Sequence, residues 1–223
     1  MLRKIPRSER KTVILDAVET LILQRSSTEF TMHELASYVG ISPTTFYNVF
    51  GSKGAVLYAL LNRGLDEIIN GRTPFVKGDH PAIYAIESMT HAAHIFIKRP
   101  NLFRPLYKFQ LSERDMADRP TYLNRGFEYW RRSLQGLTIE GYITQDNKGG
   151  WLTVDNLALV LQTHSSGVID LWVQEDLNDQ EFIARMTFDA ALIVSGVVTG
   201  DARAEIAKLI EKIEPCPGRF TFV

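Results

Sequence analysis

The sequence predicts an all-α protein, and three observations predict it. Prolines stand at 6, 43, 74, 81, 100, 105 and 120 and then not again until Pro215, so residues 121–214 are open to long helices. Little β-branched alternation appears in that region. No Asn-Gly or Asp-Gly hairpin signal, a turn set between two alternating apolar runs, is present.

A first helix is expected from about Ser8 to Arg25. Ile14, Ala17, Val18, Leu21 and Ile22 form one apolar stripe at i, i+3, i+4, i+7 and i+8. Ser26, Ser27 and Thr28 break it. Thr31 followed by Glu34 has the spacing of a capping box and starts a second helix, and Gly40 ends it. Ser42-Pro43 places an N-cap before a proline at the first helical position, so a third helix runs to about Phe50. Two short helices joined by Gly40-Ile41-Ser42 form a helix-turn-helix at 31–50. Ser52 caps the next helix, which carries Val56, Leu57, Leu60, Leu61, Leu65 and Ile68. The stretch from Asn70 to Pro81, with Gly71, Pro74 and Gly78, reads as a loop. Further helices are expected near 81–98, 101–112, 119–138, 153–175, 178–199 and 201–213, with a glycine-bearing loop over 139–152. The predicted architecture is an N-terminal three-helix helix-turn-helix domain over 1–53, followed by a larger α-helical domain over 54–223.

Composition narrows the class. With 45% apolar and 23% charged residues in 223, the chain is globular rather than disordered. The longest apolar stretch, 190–198, is about half of what a bilayer span needs. Arg3, Lys4 and Pro6 are followed by no apolar segment of the signal-peptide kind, and Cys216 stands alone, which excludes internal disulfides and cysteine-based zinc fingers. A cytoplasmic location is expected. Net charge is −1, yet residues 1–12 carry Arg3, Lys4, Arg7, Arg10 and Lys11 against Glu9 alone. Such a basic arm either steers one end towards phosphate or is simply a solvated tail.

The second short helix has a distinctive outward face. Phe46 and Phe50, with Ile41, supply apolar contacts, and Leu35, Ala36 and Val39 do so on the first. Pro43, Thr44, Thr45, Tyr47 and Asn48 remain outward, and none carries a carboxylate. Such a face can enter a major groove: hydroxyls donate to phosphate oxygens, while Asn and Thr read base edges. The DNA-facing set is Thr31, His33, Ser42, Pro43, Thr44, Thr45, Tyr47, Asn48 and Lys53.

Residues 8–60 resemble the TetR family of bacterial transcriptional regulators. The family pattern is matched by Thr31, Leu35-Ala36, Gly40-Ile41-Ser42, Phe46-Tyr47, Phe50 and Lys53; Val49 departs from the His or Tyr usual before the final Phe. The resemblance implies that the remainder is an all-α domain that binds a small effector and dimerises through its last two long helices. It implies double-stranded operator DNA as a partner, read by two copies at half-sites about 34 Å or a multiple apart.

Other signals are less specific. His91 and His94 share a helical face without a third ligand at a telling spacing, so no metal is expected. Aromatic residues cluster between Tyr84 and Trp130 and suit either a filled core or the wall of a ligand pocket. The candidates for effector contact are His94, Phe103, Tyr107, Phe127, Trp130 and His164, the last read a little more readily as a hydrogen-bonded core residue. Small residues at Ser165-Ser166-Gly167, Ala190-Ala191, Ser195-Gly196 and Thr199-Gly200 suit either a dimer interface or close packing within a subunit. No catalytic constellation or cofactor motif is found. The expected function is a ligand-responsive repressor. Two alternatives stand beside it: an all-α enzyme or binding protein with a structural helical hairpin, and a DNA-binding regulator controlled by a protein partner.

Overall fold

The structure, a computed structural model, describes residues 6–112, 117–143 and 150–213. Arg3, Lys4, Asn147, Gly149 and Cys216 lie outside the described residues. Among the described residues every regular element is a helix: α1 (Arg7–Arg25), α2 (Met32–Val39), α3 (Pro43–Phe50), α4 (Lys53–Asn70), α5 (Pro81–Ile97), α6 (Pro100–Ser112), α7 (Arg119–Ser133), α8 (Gln135–Ile139), α9 (Val154–Val173), α10 (Asp179–Ser195) and α11 (Gly200–Ile210).

Two stretches differ from the expected helices. A single helix over 119–138 is replaced by α7 and α8, with Leu134 at φ −92°, ψ 0° between them. Gly136 lies so close to Phe75 and Pro81 that a Cβ would come within 2.6 and 2.9 Å of their side-chain atoms, so the chain is bent where it packs closely on those two side chains. A helix over 178–199 stops at Ser195 instead. Gly196 and the β-branched run Val197-Val198-Thr199 have poor helical propensity, and Thr199 is extended.

The chain forms two compact units. The first comprises Met1–Asp66 and Arg99–Leu123. Ile14, Val18, Leu21 and Ile22 of α1 are buried, as are Leu35 and Ala36 of α2, Phe46 of α3, Leu57 and Leu61 of α4 and Leu102 and Leu106 of α6. Each of the buried Leu, Ile, Val and Phe side chains contributes about 1.5–3 kcal/mol when removed from water. Phe103 fits the notch left by Gly64, where a Cβ would stand 2.5 Å from its ring. Arg63 ties α4 to α1 through Asp16 at 2.7 Å and Glu19 at 3.0 Å, and Arg99 pairs with the same Glu19. Tyr58 packs on Phe109 and Tyr122, with ring centroids 5.7 and 5.8 Å away, and the Tyr107 and Tyr122 hydroxyls share a hydrogen bond of 2.6 Å.

The second unit comprises Glu67–Lys98 and Asn124–Val223. Its centre is α5 against α10, where Ala82, Ala85, Ala92 and Ala93 of α5 and Ala184, Ala190 and Ala191 of α10 are all buried. Small side chains let helix axes approach, and Thr90 meets Thr187 hydroxyl to hydroxyl at 2.8 Å. Trp172 of α9 stacks on Phe182 at 4.8 Å and donates its indole N–H to Asp179 at 2.8 Å. Tyr129 donates to the Ser88 carbonyl at 2.8 Å, and burial pushes its phenol pKa up.

Candidate nucleic-acid interface

The interface is built from caps. The Thr31 hydroxyl accepts the Glu34 N–H at 3.1 Å and Glu34 Oε2 accepts the Thr31 N–H at 2.7 Å, which starts α2 at Met32. Gly40 takes the left-handed conformation at φ 75°, and its N–H closes on the Ala36 and Ser37 carbonyls. Ile41 also donates to the Ala36 carbonyl, at 3.0 Å. Ser42 is extended, its hydroxyl accepts the Thr45 N–H at 3.1 Å, and Pro43 opens α3. Met32, Leu35 and Ala36 of α2 and Phe46 and Phe50 of α3 are buried, the two phenyl rings 5.6 Å apart. That packing sets the roll of α3 and leaves Thr44, Tyr47 and Asn48 exposed at i, i+3 and i+4 on one face.

The capping bonds narrow what some residues can offer. Thr31 gives its amide to Glu34 and uses its hydroxyl oxygen as an acceptor, so both groups are engaged in the cap. The bonds from Thr31 also hold the Glu34 carboxyl below its usual pKa. Ser42 and Thr45 share a hydroxyl bond of 2.8 Å, and Pro43 and Thr45 are half-buried. His33 is exposed on the first turn of α2. Lys53, half-buried at the start of α4, places Nζ 5.4 Å from the Phe30 ring centroid, and Lys11 places its own 5.7 Å from that of Phe50. The aromatic rings position both ammonium groups in the unit that carries α3. Tyr38 is missed by the sequence pattern: it is exposed on α2 and donates to Gln24 at 3.2 Å. The first turn of α3 has no acidic residue, and its N-terminus presents the positive end of the helix dipole.

The residues considered for effector contact are dispersed. Phe103 and Tyr107 are buried in the first unit, and burial raises the Tyr107 phenol pKa. In the second unit Trp130 is buried, Phe127 is half-buried and His94 is exposed. His164 is half-buried, and its Nε2 lies 2.6 Å from Oδ2 of the buried Asp189, which also accepts Arg185 Nε at 2.7 Å. Among the described residues no group of three or more His, Cys, Asp or Glu side chains is arranged to hold a metal ion. No described helix is long and apolar enough to cross a membrane.

Residues 14–60 match the family model described as bacterial regulatory proteins, tetR family. No curated protein matches the chain by sequence. Solved structures do match by fold. A TetR transcriptional regulator from Rhodococcus sp. RHA1 is 16% identical with a TM-score of 0.67, over 84% of this chain and 96% of that one. A protein from Syntrophomonas wolfei, described as a TetR-family transcriptional regulator, is 17% identical with a TM-score of 0.67, over 88% of this chain and 100% of its own. A TetR-family regulator from Marinobacter aquaeolei is 17% identical with a TM-score of 0.56, over 92% and 99%. The capped hairpin of α2 and α3, the family match that spans it and the architecture around it agree: residues 14–60 carry the N-terminal helix-turn-helix domain of the tetR family of bacterial regulatory proteins, and the chain has the fold of the TetR-family regulators of solved structure.

Proposed function

We propose that the chain is a homodimeric transcriptional repressor whose operator affinity falls when a small molecule binds. The observation that carries the reading is the exposed, carboxylate-free face of α3. Thr44, Tyr47 and Asn48 project there behind a helix N-terminus. In this reading residues 1–53 read DNA, with Thr44 and Asn48 at base edges and Thr31, His33, Tyr47 and Lys53 at phosphates. Residues 54–223 supply the effector and dimerisation surfaces, and no catalytic step is assigned to them.

A second copy is needed for two half-sites, and α9 with α10 offers the surface for it. Val160, Thr163 and Gly167 are exposed along one face of α9, and Leu192 of α10 and Gly196 at its C-cap are exposed as well. A Cβ at Gly167 would meet nothing within 4 Å, so a partner helix has room to approach there. Ala190, Ala191 and Ser165 are buried inside the subunit and serve its own packing. An effector changes DNA binding by favouring one of two dimer states, which takes a coupling of about 1–3 kcal/mol.

Fluorescence anisotropy with DNA fragments from the gene's own upstream region, at two salt concentrations, tests the reading. One fragment should bind about 10³-fold or more tighter than a scrambled control, and more weakly as salt rises. Absence of binding to any genomic DNA at low salt overturns it.

A further inference from the structure

The loop 71–80 is held firmly against the first turns of α5. Tyr84 Oη donates to the Thr73 carbonyl at 3.0 Å, Arg72 Nη2 donates to the Tyr84 carbonyl at 2.7 Å, and the Asp79 carboxylate accepts the Val76 N–H at 3.0 Å. Phe75 meets the Tyr84 ring edge-on, with centroids 5.3 Å apart. Between loop and helix lies an open groove of about 600 Å³, lined by Arg72, His80, Ile83, Tyr84, Glu87 and His91 among others. No feature of the α2–α3 hairpin or of the exposed α9 and α10 faces uses it.

Arg72 dominates its chemistry. The side chain is only 14% exposed, and the guanidinium carbon sits 4.2 Å from the Tyr84 ring centroid. Its Nε is enclosed and makes no hydrogen bond. Nη2 faces Glu87 Oε2 at 3.6 Å, beyond hydrogen-bonding length, and the Glu87 side chain is 60% exposed. A guanidinium stacked on a ring and held short of hydrogen-bonding distance from Glu87 keeps its Nη side for a better-placed acceptor, and a planar carboxylate is the group that fits it. The neighbouring charges leave that role open. Asp79 is occupied in the loop turn. His91 Nε2 lies 3.1 Å from the Ile68 carbonyl, which can only accept, so Nε2 carries the hydrogen, and desolvation holds the imidazole below its ordinary pKa. Gly71 gives that ring its place, since a Cβ there would lie 3.2 Å from it.

We propose that this groove binds a small organic carboxylate with a flat apolar body, its carboxylate pairing with Arg72 in place of Glu87 and its body lying along Tyr84 and Ile83. The inference deepens the regulator reading by naming a class of effector, and rests on that reading for its regulatory meaning. Binding itself is independent of DNA. The full-length protein is titrated by ligand-observed NMR with benzoate, with benzamide as the uncharged counterpart and with inorganic phosphate. Benzoate should bind saturably, and benzamide and phosphate should not. Glu87→Gln removes the competing acid and should tighten benzoate about threefold or more, whereas Arg72→Gln should weaken it about tenfold or more. If Arg72→Gln does not fold, the direction of the Glu87→Gln effect decides. Absent benzoate saturation, equal binding of benzamide or phosphate, or unchanged or weaker benzoate binding in Glu87→Gln each overturns the proposal. The anisotropy assay with DNA is a separate readout, so loss of either result does not imply loss of the other.

Discussion

Thr31 and Glu34 hold each other across the first turn of α2, each accepting the other's backbone N–H, at 3.1 and 2.7 Å. Thr31→Ala removes one half of the box and should cost about 1 kcal/mol of stability, read as a lower urea midpoint. The same variant keeps the Thr31 N–H bond, the larger cause of the lowered Glu34 pKa, and loses the side-chain one, so the carboxyl should return part of the way towards its ordinary value, visible in an NMR titration. The sign follows from the lowered folded pKa: the contribution is present above the ordinary carboxyl value and is lost as pH falls through the folded one. Thr31→Ala should therefore lose less stability on acidification than the wild type.

Tyr47 is 45% exposed, and no hydrogen bond engages its hydroxyl among the described residues, so its value should lie in what it touches in a complex. Tyr47→Phe is expected to weaken specific DNA binding by about 1 kcal/mol, roughly fivefold, with the thermal midpoint unchanged. A large fall in the midpoint would remove Tyr47 from the interface.

Its neighbour Phe46 should behave in the opposite way. The ring is fully buried and packs on Phe50. Phe46→Ala is expected to cost about 3–5 kcal/mol of stability, and DNA binding should fail because the hairpin loses its core. Calorimetry and anisotropy on the two variants separate the buried face of α3 from the exposed one.

Val160 and Leu192 are 49% and 48% exposed on a single chain. Leu192→Asp should therefore leave helical content intact while shifting sedimentation from dimer towards monomer and weakening operator binding. An unchanged dimer would move the interface away from α10.

His91 gives a pH dependence. Desolvation, reinforced by Arg72, Lys98 and His94, holds its folded pKa below the ordinary 6.5, against an opposing contribution from the Ile68 carbonyl bond. The unfolded chain binds the proton more readily, so stability should fall as pH drops below that value and level off beneath the folded pKa. His91→Asn should flatten the slope of the thermal midpoint from about pH 7 to about pH 5.

Residue order alone determined a great deal here. The all-α class, the ends of α2 and α3 and the Gly40-Ile41-Ser42 turn all follow from local rules: a cap needs an acceptor at a set offset, and a left-handed turn favours glycine. Thr44, Tyr47 and Asn48 were legible as an outward face because helical spacing alone separates them from Phe46 and Phe50. The tertiary structure decided what depends on distant chain segments meeting. Leu134 interrupts a helix that local propensity would continue, where Gly136 is pressed against Phe75 and Pro81. Ala190 and Gly196 have similar small-residue signatures, yet packing buries one and exposes the other. The groove at Arg72 reads in sequence only as part of a loop, because its chemistry arises from Tyr84, Glu87 and His91, which lie twelve, fifteen and nineteen residues further along. Periodicity and caps are local and can be read from residue order, whereas enclosure and charge pairing are properties of the folded volume.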